Sequence, residues 1–121
     1  MREIKLWDKK QKKFLTKFYC FYKDGVFEFY NNDRDFENGI MNTNVIAVES
    51  TGLKDKNGVE IYEGDIVKTN LYNINGYVYY SSPSFGIKQK NGVCTDYNWS
   101  DFNNFEVIGN IYEDSHLLDN N

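Results

Sequence analysis

The stretch TGLKDKNGVEIYEGDIV, residues 51–67, decides the fold of this chain. It carries three glycines, Gly52, Gly58 and Gly64, at intervals of six residues, each where a short apolar run ends or bends. Because glycine adopts a positive φ at little cost, this spacing predicts a bend or a β-bulge at each of them. The pair Asn57-Gly58 is also the strongest short hairpin signal, so the stretch predicts short strands joined by tight turns.

The other residues of this stretch also have structural interpretations. Asp55 is expected to accept hydrogen bonds from the backbone N–H groups of the turn at residues 56–58, as aspartates in turns commonly do. The predicted core positions are Ile61, Ile66 and Val67, with Tyr62 as an amphipathic lid. The carboxylates and glycines of residues 51–67 are therefore expected to shape the backbone rather than to perform chemistry.

Elsewhere the apolar pattern has a period of two residues, which is typical of β-strands. The predicted strands cover residues 4–8, 14–22, 26–30, 45–49, 59–62, 66–69, 77–80, 85–88 and 105–112. Helical turns are predicted within residues 33–38 and 113–118, but no longer helix. Short strands separated by Gly and Asn turns predict an all-β fold, a small barrel or a sandwich.

A long loop, residues 31–44, is the predicted boundary inside this fold, because its Asn, Asp and Gly residues follow no strand pattern. An N-terminal unit of β-hairpins and this loop is predicted over residues 1–44, and a C-terminal β-barrel over residues 45–121. The chain has 121 residues and a mass of 14.3 kDa, the size of one domain. The two parts are therefore expected to form one compact unit.

Composition excludes several classes of protein. No apolar run approaches the ~18 residues of a membrane span, and the first residues lack the apolar segment of a signal peptide. We therefore expect a cytoplasmic protein with no membrane partner. Two cysteines, Cys20 and Cys94, and one histidine, His116, are too few for a structural zinc site. No glycine-rich phosphate loop occurs, so no cofactor is predicted.

Charge is distributed unevenly along the chain. The net charge is -4, but residues 1–23 carry +6 and the remainder carries -10. The basic residues concentrate in a predicted turn that contains Lys9, Lys10, Lys12 and Lys13. We interpret this turn first as a solvated hairpin whose lysines guard the flanking strands. The same lysines could instead contact a phosphate backbone or the acidic face of a neighbouring copy.

The residues 51–67, together with FEVIGNIYE at residues 105–113 and REIK and WDKK near the start, resemble the YopX-like proteins of phages and prophages in low-GC Gram-positive bacteria. The resemblance covers about half of the chain. It implies an SH3-like barrel in the C-terminal part, a phage or prophage origin, and a location inside the bacterial host cell. It implies no specific activity.

The same resemblance gives structural roles to further residues. GDIV at residues 64–67 is similar to the Gly-Asp-x-Val step that opens a strand in many SH3-like barrels, in which the aspartate caps a loop. Asp65 is accordingly interpreted as a capping residue. Gly109, in the second matching stretch, is interpreted as a structural glycine.

Two chemical alternatives compete with this structural interpretation. Asp55, Glu60, Glu63 and Asp65 could converge on Mg²⁺ or Ca²⁺, although their spacing is not that of an EF-hand loop. His116 could pair with Cys20 or Cys94 for nucleophilic catalysis, although Cys20 lies between two aromatic residues as a packed side chain would. We favour neither alternative and predict no catalytic residue and no metal site.

Aromatic residues exceed what the core of a chain this size can house. The candidates for surface positions are Tyr19, Tyr22, Tyr30, Tyr72, Tyr77, Tyr79, Tyr80, Tyr97, Trp99 and Phe102. Alternation places Tyr77 and Tyr79 on one face of their strand and Tyr80 on the other. Such residues could stack single-stranded bases, anchor a protein partner, seal a homo-oligomer, or simply border the barrel and solvent.

These observations favour a non-enzymatic binding module of phage or prophage origin. The predicted contact surface is an aromatic face containing Tyr77, Tyr79, Tyr80 and Trp99, which would meet a protein partner or another copy of the chain. The acidic charge around it disfavours nucleic acid. The alternative is a nucleic-acid-binding accessory protein that uses the basic N-terminal hairpin.

Overall fold

The structure, a computed structural model, describes residues 3–69, 75–81, 84–97 and 99–120, without the side chains of residues 96–100 and 120. Within these residues, no helix is both long enough and apolar enough to cross a membrane.

The chain divides into two compact units. Residues 5–47 form the N-terminal unit, and residues 48–121 together with residues 1–4 form the C-terminal unit. The division falls inside one long strand, so the chain passes from one unit to the other without a linker.

The N-terminal unit is built from short strands and one helical turn. Its elements are β1 (Ile4–Asp8), β2 (Lys13–Phe14), β3 (Tyr19–Lys23), β4 (Val26–Tyr30) and the helix α1 (Asp33–Glu37). Strands β1 and β2 pair antiparallel with Trp7 opposite Phe14, and the two rings meet edge to face at 5.0 Å. Helix α1 begins after Asn32, whose side chain accepts the Asp35 N–H at 2.8 Å as an N-cap. The helical turn predicted within residues 33–38 is therefore confirmed.

The prediction of one continuous strand over residues 14–22 is wrong. The run is divided into β2 and β3, which belong to different sheets. The backbone of Leu15 still bonds to β1, donating to the Leu6 carbonyl at 2.9 Å, but β3 then pairs with β4. Aromatic density made the whole run look like a strand, whereas hydrogen-bond partners decide where a strand ends.

The C-terminal unit contains most of the remaining strands. They are β5 (Val45–Lys54, shared with the N-terminal unit), β6 (Glu60–Tyr62), β7 (Asp65–Lys68), β8 (Asn75–Ser81), β9 (Ser84–Lys88), β10 (Cys94–Tyr97) and β11 (Glu106–Asn110). Two 3₁₀ helices, Trp99–Asn104 and Ser115–Asn120, accompany them.

Within the described residues, the strands form three sheets. Four strands make a curled sheet in the order β2-β1-β5-β6, and five make an open antiparallel sheet in the order β10-β9-β8-β7-β11. The third sheet is the isolated pair β3-β4. The mainly β class predicted from the sequence is confirmed, whereas the closed SH3-like barrel implied by the family resemblance stays a prediction.

The hydrophobic core lies in the C-terminal unit. Its buried members are Ile61, Val67, Val78, Phe85, Ile87, Phe102 and Phe105, against which Leu53 and Val107 pack. The core positions predicted at Ile61, Ile66 and Val67 are confirmed, since all three are fully buried. Phe102 is also fully buried and Tyr30 is only 7% exposed, so counting these two among the surface aromatic residues was wrong.

Candidate functional site

Exposed aromatic side chains gather on the hairpin formed by β3 and β4. The hairpin closes with the two-residue turn Asp24-Gly25, and its strands are in register with Tyr19 opposite Tyr30 and Lys23 opposite Val26. Asp24 has a φ of 51° and Gly25 a φ of 82°. Positive φ at both positions is the type I′ geometry, which matches the twist of the flanking strands. The turn thereby fixes which side chains share each face of the hairpin.

The first face of the hairpin is an aromatic cluster that includes helix α1. The ring of Phe21 stacks on Phe36 from the helix at 4.6 Å and meets Tyr30 edge to face at 6.0 Å. Tyr30 also contacts Phe36 edge to face at 5.2 Å, and Tyr19 stacks beside Phe21 at 6.4 Å. These contacts hold the short helix against the sheet, yet Phe21 and Phe36 remain exposed.

The second face of the hairpin carries Tyr22, Phe27 and Phe29. Tyr22 lies directly opposite Phe27, and their rings meet edge to face at 5.0 Å. Phe27 and Phe29 stack at 6.3 Å along the same strand. Tyr22 is 67% exposed, more than any other large hydrophobic side chain of the described residues.

A shallow groove of about 240 Å³ lies beside β4. It is lined by residues 26–29 on one side and by residues 41–43 and Val45 on the other. Asn42 joins the two sides, since its backbone N–H donates to the Phe29 carbonyl at 2.7 Å. Its side-chain amide donates to Asp8 Oδ2 at 3.2 Å and to Asn31 Oδ1 at 2.8 Å. Sequence reasoning missed Asn42, because none of these partners is a neighbour in the sequence.

Acidic groups are interspersed with the aromatic rings of the hairpin. The Tyr30 hydroxyl donates to Glu28 Oε1 at 3.1 Å. The neighbouring carboxylate of Asp33 raises the pKa of Tyr19. Burial and the neighbouring Glu28 likewise raise the pKa of Tyr30. Both tyrosines therefore stay neutral at physiological pH, and the surface around them is negatively charged.

The tyrosines predicted as a binding face lie on β8 of the C-terminal unit. Tyr77 and Tyr79 are half-buried, whereas Tyr80 is 54% exposed and packs edge to face on Phe85 at 5.4 Å. The side chain of Trp99 lies outside the described residues. Among the described residues, exposed aromatic side chains are concentrated on the hairpin rather than on β8.

The sequence contained a signal for the hairpin surface. Aromatic residues stand on both sides of the Asp-Gly turn, at consecutive positions of both strands, so neither face can be fully polar. Tyr19, Tyr22 and Tyr30 belong to the predicted aromatic surplus, but Phe21 and Phe27 do not. The pattern does not reveal that β3 and β4 form a sheet of only two strands.

The predicted basic turn connects β1 to β2 and is organised by Asp8. Asp8 Oδ1 accepts the N–H groups of Lys10 at 2.9 Å and Gln11 at 2.8 Å. These bonds, the Gln11 one foremost, lower the pKa of Asp8 despite its burial. Lys12 takes a φ of 55°, which completes the turn. The side chains of Lys9, Lys10, Lys12 and Lys13 are all exposed.

Two carboxylates of residues 51–67, those of Asp55 and Asp65, accept hydrogen bonds from backbone N–H groups. Asp55 is 5% exposed, and its Oδ1 accepts from Asn57 at 2.8 Å and from Val59 at 2.9 Å. Its Oδ2 accepts from Val107 at 2.9 Å, which ties the turn to β11. Asp65 Oδ2 accepts from Tyr62 at 2.8 Å. Each of these carboxylates thus holds a loop or a strand in place.

Glu60 belongs to a separate hydrogen-bonded group. It accepts from the Ser50 hydroxyl at 3.0 Å and from the Tyr62 hydroxyl at 3.1 Å. The same hydroxyl lies 3.2 Å from Glu3 Oε2, and burial together with these carboxylates strongly raises the pKa of Tyr62. In the described part of the chain, no three acidic, histidine or cysteine side chains are grouped as a metal site would need.

The motif glycines occupy positions that restrict side chains. Gly52, Gly58 and Gly64 have φ values of 78°, 79° and 85°, a region that favours glycine. Gly109 has a different constraint, because a Cβ there would lie 2.7 Å from a carboxylate oxygen of Asp114. Gly109 also follows a register shift between β11 and β7.

Burial makes Cys20 a poor nucleophile. It lies in β3, opposite Phe29, and burial raises the pKa of its thiol. A nucleophilic cysteine needs the opposite shift, because the thiolate is the reactive form. This geometry favours a packed side chain at Cys20.

Comparison with known proteins places these features in a family. The chain is similar to protein EF1440 from Enterococcus faecalis, known from a crystal structure, with a TM-score of 0.62 and 27% sequence identity over 98% of each chain. No curated protein matches the chain. The family described as YopX protein matches residues 3–119. With a match over nearly its whole length, the chain belongs to the YopX family.

Proposed function

We propose that this YopX-family protein is a non-enzymatic binding module, a phage or prophage accessory protein of the bacterial cytoplasm, that contacts another protein through the aromatic hairpin. The observation that carries the proposal is the exposure of aromatic rings on both faces of β3-β4. Tyrosine and other aromatic residues are enriched at protein interfaces, where their large surfaces are removed from water.

The size of the aromatic surface supports this function. Five rings, those of Tyr19, Phe21, Tyr22, Phe27 and Phe36, are between 39% and 67% exposed. At roughly 200 Å² for each aromatic side chain, they leave roughly 500 Å² of aromatic surface in water. The largest apolar patch of a typical monomer is about 300–600 Å² and is often functional. Although it is divided between the two faces of the hairpin, the total is comparable with such a functional patch.

The charge of the hairpin favours a protein partner over nucleic acid. Stacking of single-stranded bases requires a positively charged groove that follows the phosphates. The aromatic rings of the hairpin instead stand beside Glu28, which accepts from the Tyr30 hydroxyl, and near Asp33, which lines the same depression as Tyr19. Phosphates would be repelled at this surface, whereas a protein surface that is neutral or basic would not.

The motif carboxylates support the non-enzymatic part of the proposal. Asp55 and Asp65 direct their oxygens at backbone N–H groups of their own loops and of β11. A metal site or an acid–base pair needs carboxylate oxygens that are available to a ligand. The bonds observed favour a role in folding for both residues.

Site-specific photocrosslinking in bacterial cells tests the proposed function. A benzophenone amino acid replaces Tyr22 in the full chain, and the matched control carries it at Val93, which is also exposed but lies in the C-terminal unit. We expect protein adducts from position 22 and few from position 93. Equal adducts from both positions, or adducts from position 22 to nucleic acid, would contradict the proposal.

A further inference from the structure

The outer edge of β3 offers unpaired backbone groups. In an antiparallel hairpin closed by a type I′ turn, the pair next to the turn is hydrogen-bonded, and such pairs alternate along the strands. Lys23 and Val26 form that closing pair, so Phe21 and Tyr19 also bond to β4. The N–H and C=O groups of Cys20 and Tyr22 consequently point away from β4. Among the described residues, these four groups have no hydrogen-bond partner.

The outer edge of β4 is already in use. By the same alternation, the backbone groups of Phe27 and Phe29 point away from β3. The Phe29 carbonyl accepts the Asn42 N–H at 2.7 Å, and residues 41–43 line the groove beside this strand. The hydrogen bond is independent evidence for the alternation, since it requires the Phe29 carbonyl to face outward. Of the two outer edges of the hairpin, the edge of β3 is therefore the one whose outward backbone groups have no partner among the described residues.

Over residues 19–22, the edge of β3 lacks the features that normally prevent strands from pairing between molecules. Natural proteins protect such edges with charged residues, proline or a β-bulge within the strand. Residues 19–22, Tyr-Cys-Phe-Tyr, contain neither charge nor proline, and the register with β4 is unbroken. The nearest charged residues are Lys17, two positions before the strand, and Lys23, the last residue of the strand, beside the turn. This edge is therefore able to accept another strand.

We propose that this edge pairs antiparallel with β3 of a second copy of the chain, with Phe21 on the two-fold axis. The inference rests on the proposed function and names the partner. In this register Cys20 lies opposite Tyr22 of the second copy, and the reverse pair is related by symmetry. In each of these two pairs, the outward N–H of one residue faces the outward C=O of the other, so the two pairs form four backbone hydrogen bonds. The two hairpins then make one continuous four-stranded sheet.

Charge complementarity supports a second copy as the occupant of this edge. In the proposed register, Lys23 lies opposite Tyr19 of the second copy, on the same face of the sheet. Asp33 lines the same depression as Tyr19, so each lysine would meet an aromatic ring with an acidic group nearby. The two Phe21 side chains would face each other in a closely spaced, non-hydrogen-bonded pair. On the opposite face, Tyr22 would cover Cys20 of the second copy.

The available area suits a dimer of modest stability. With roughly 500 Å² of exposed aromatic surface on each copy, the aromatic rings contribute at most about 1,000 Å² to the area that pairing covers. Specific, stable interfaces bury about 1,200–2,000 Å², and weaker ones lie below that range. The dimer is therefore expected to depend on protein concentration.

Sedimentation and amide exchange of the full chain under reducing conditions test this inference. We expect a monomer–dimer equilibrium in sedimentation velocity as the concentration rises. With rising concentration, the amides of Cys20 and Tyr22 should exchange more slowly. The amide of Phe27, which points outward from the other strand, is the internal control and should not change. A monomer at every concentration, or equal protection of all three amides, would overturn the proposal.

A pair of variants tests the backbone contact itself. Cys20→Pro removes an outward N–H without removing a bond to β4, so the hairpin is retained and the dimer is lost. The matched control, Cys20→Val, removes the thiol but keeps the N–H, and it should dimerise as the natural chain does. A dimer that persists in Cys20→Pro would overturn the proposed pairing. Should Cys20→Pro not fold, the amide exchange of the natural chain decides.

This outcome is distinguishable from failure of the proposed function. Photocrosslinking from position 22 that captures a different protein, together with a monomer in sedimentation, supports the binding function and overturns the second copy as its partner. A dimer whose crosslinks from position 22 join two copies supports both. A monomer without protein adducts contradicts both.

Discussion

The hairpin β3-β4 and the C-terminal unit use the same residue types in opposite ways. In the C-terminal unit the rings of Phe85, Phe102 and Phe105 are buried, and the buried carboxylate of Asp55 receives three backbone hydrogen bonds. In the hairpin the rings are exposed and the acids lie among them. The difference shows that aromatic content alone does not distinguish a core from a binding surface.

The cause of the difference is the number of strands and layers. A two-stranded sheet has two faces and few neighbours, so it cannot remove both faces from water by itself. Helix α1 covers part of one face through Phe36, and that ring is itself 45% exposed. The five-stranded sheet, by contrast, buries Val78 and Ile87 completely or nearly so. The hairpin retains surface that a partner can cover.

The largest expected effect contrasts one buried ring with one exposed ring. Phe102→Ala removes a fully buried side chain from the core and should lower the free energy of unfolding by about 3–5 kcal/mol. Tyr22→Ala, at the exposed face of the hairpin, should change it by about 0.5 kcal/mol or less. Urea denaturation of both variants at low protein concentration makes the comparison. Similar losses in the two variants would contradict a hairpin surface that is free in the monomer.

The next effect concerns the carboxylate that ties the motif turn to β11. Asp55→Ala leaves the N–H groups of Asn57, Val59 and Val107 without their acceptor, which should lower the free energy of unfolding by about 3 kcal/mol. Glu49→Ala, an exposed acid of the same unit, serves as the control and should have little effect. Equal stability of the two variants would show that the three bonds contribute nothing.

The same carboxylate gives a dependence on pH with a definite sign. Burial of Asp55 would raise its pKa, but the hydrogen bonds from Val107, Val59 and Asn57 outweigh burial and lower it. Its contribution to stability is therefore complete above the pKa of an unfolded aspartate and is lost as the pH falls through the lower pKa of the folded state. In Asp55→Asn, the free energy of unfolding should fall less between neutral and acidic pH. If the free energy of unfolding of this variant falls with pH as steeply as that of the natural chain, the acid sensitivity belongs to other groups.

The smallest expected effect is on DNA binding, and it tests whether the basic turn is a contact surface as the aromatic hairpin is proposed to be. We expect no retention of single-stranded or duplex DNA at ~50 mM salt, where phosphate contacts should be strongest. The variant with Lys9, Lys10, Lys12 and Lys13 changed to glutamine should therefore behave like the natural chain. Binding that weakens with salt and is lost in this variant would instead support the nucleic-acid alternative.

Local features of the fold were predictable because their physical causes are local. The Asp24-Gly25 turn, the helical turn at residues 33–38 and the core positions Ile61 and Ile66 follow from φ preferences, capping and side-chain alternation. The expectation that Asp55 binds its own turn was of the same kind, and the structure shows the bonds to Asn57 and Val59. Each depends on residues only a few positions apart.

Only the tertiary structure decided which aromatic residues are covered. Alternation along a strand gives the face of each ring, but not whether another layer lies over that face. The sequence pattern likewise does not show that the Val107 N–H, 52 residues away, donates to Asp55. Nor does it show that residues 14–22 divide between two sheets. The amino-acid sequence by itself determined most of the strands and turns, because these depend on local backbone preferences. The exposed edge and rings of the hairpin depend on contacts between distant segments, which no local pattern specifies.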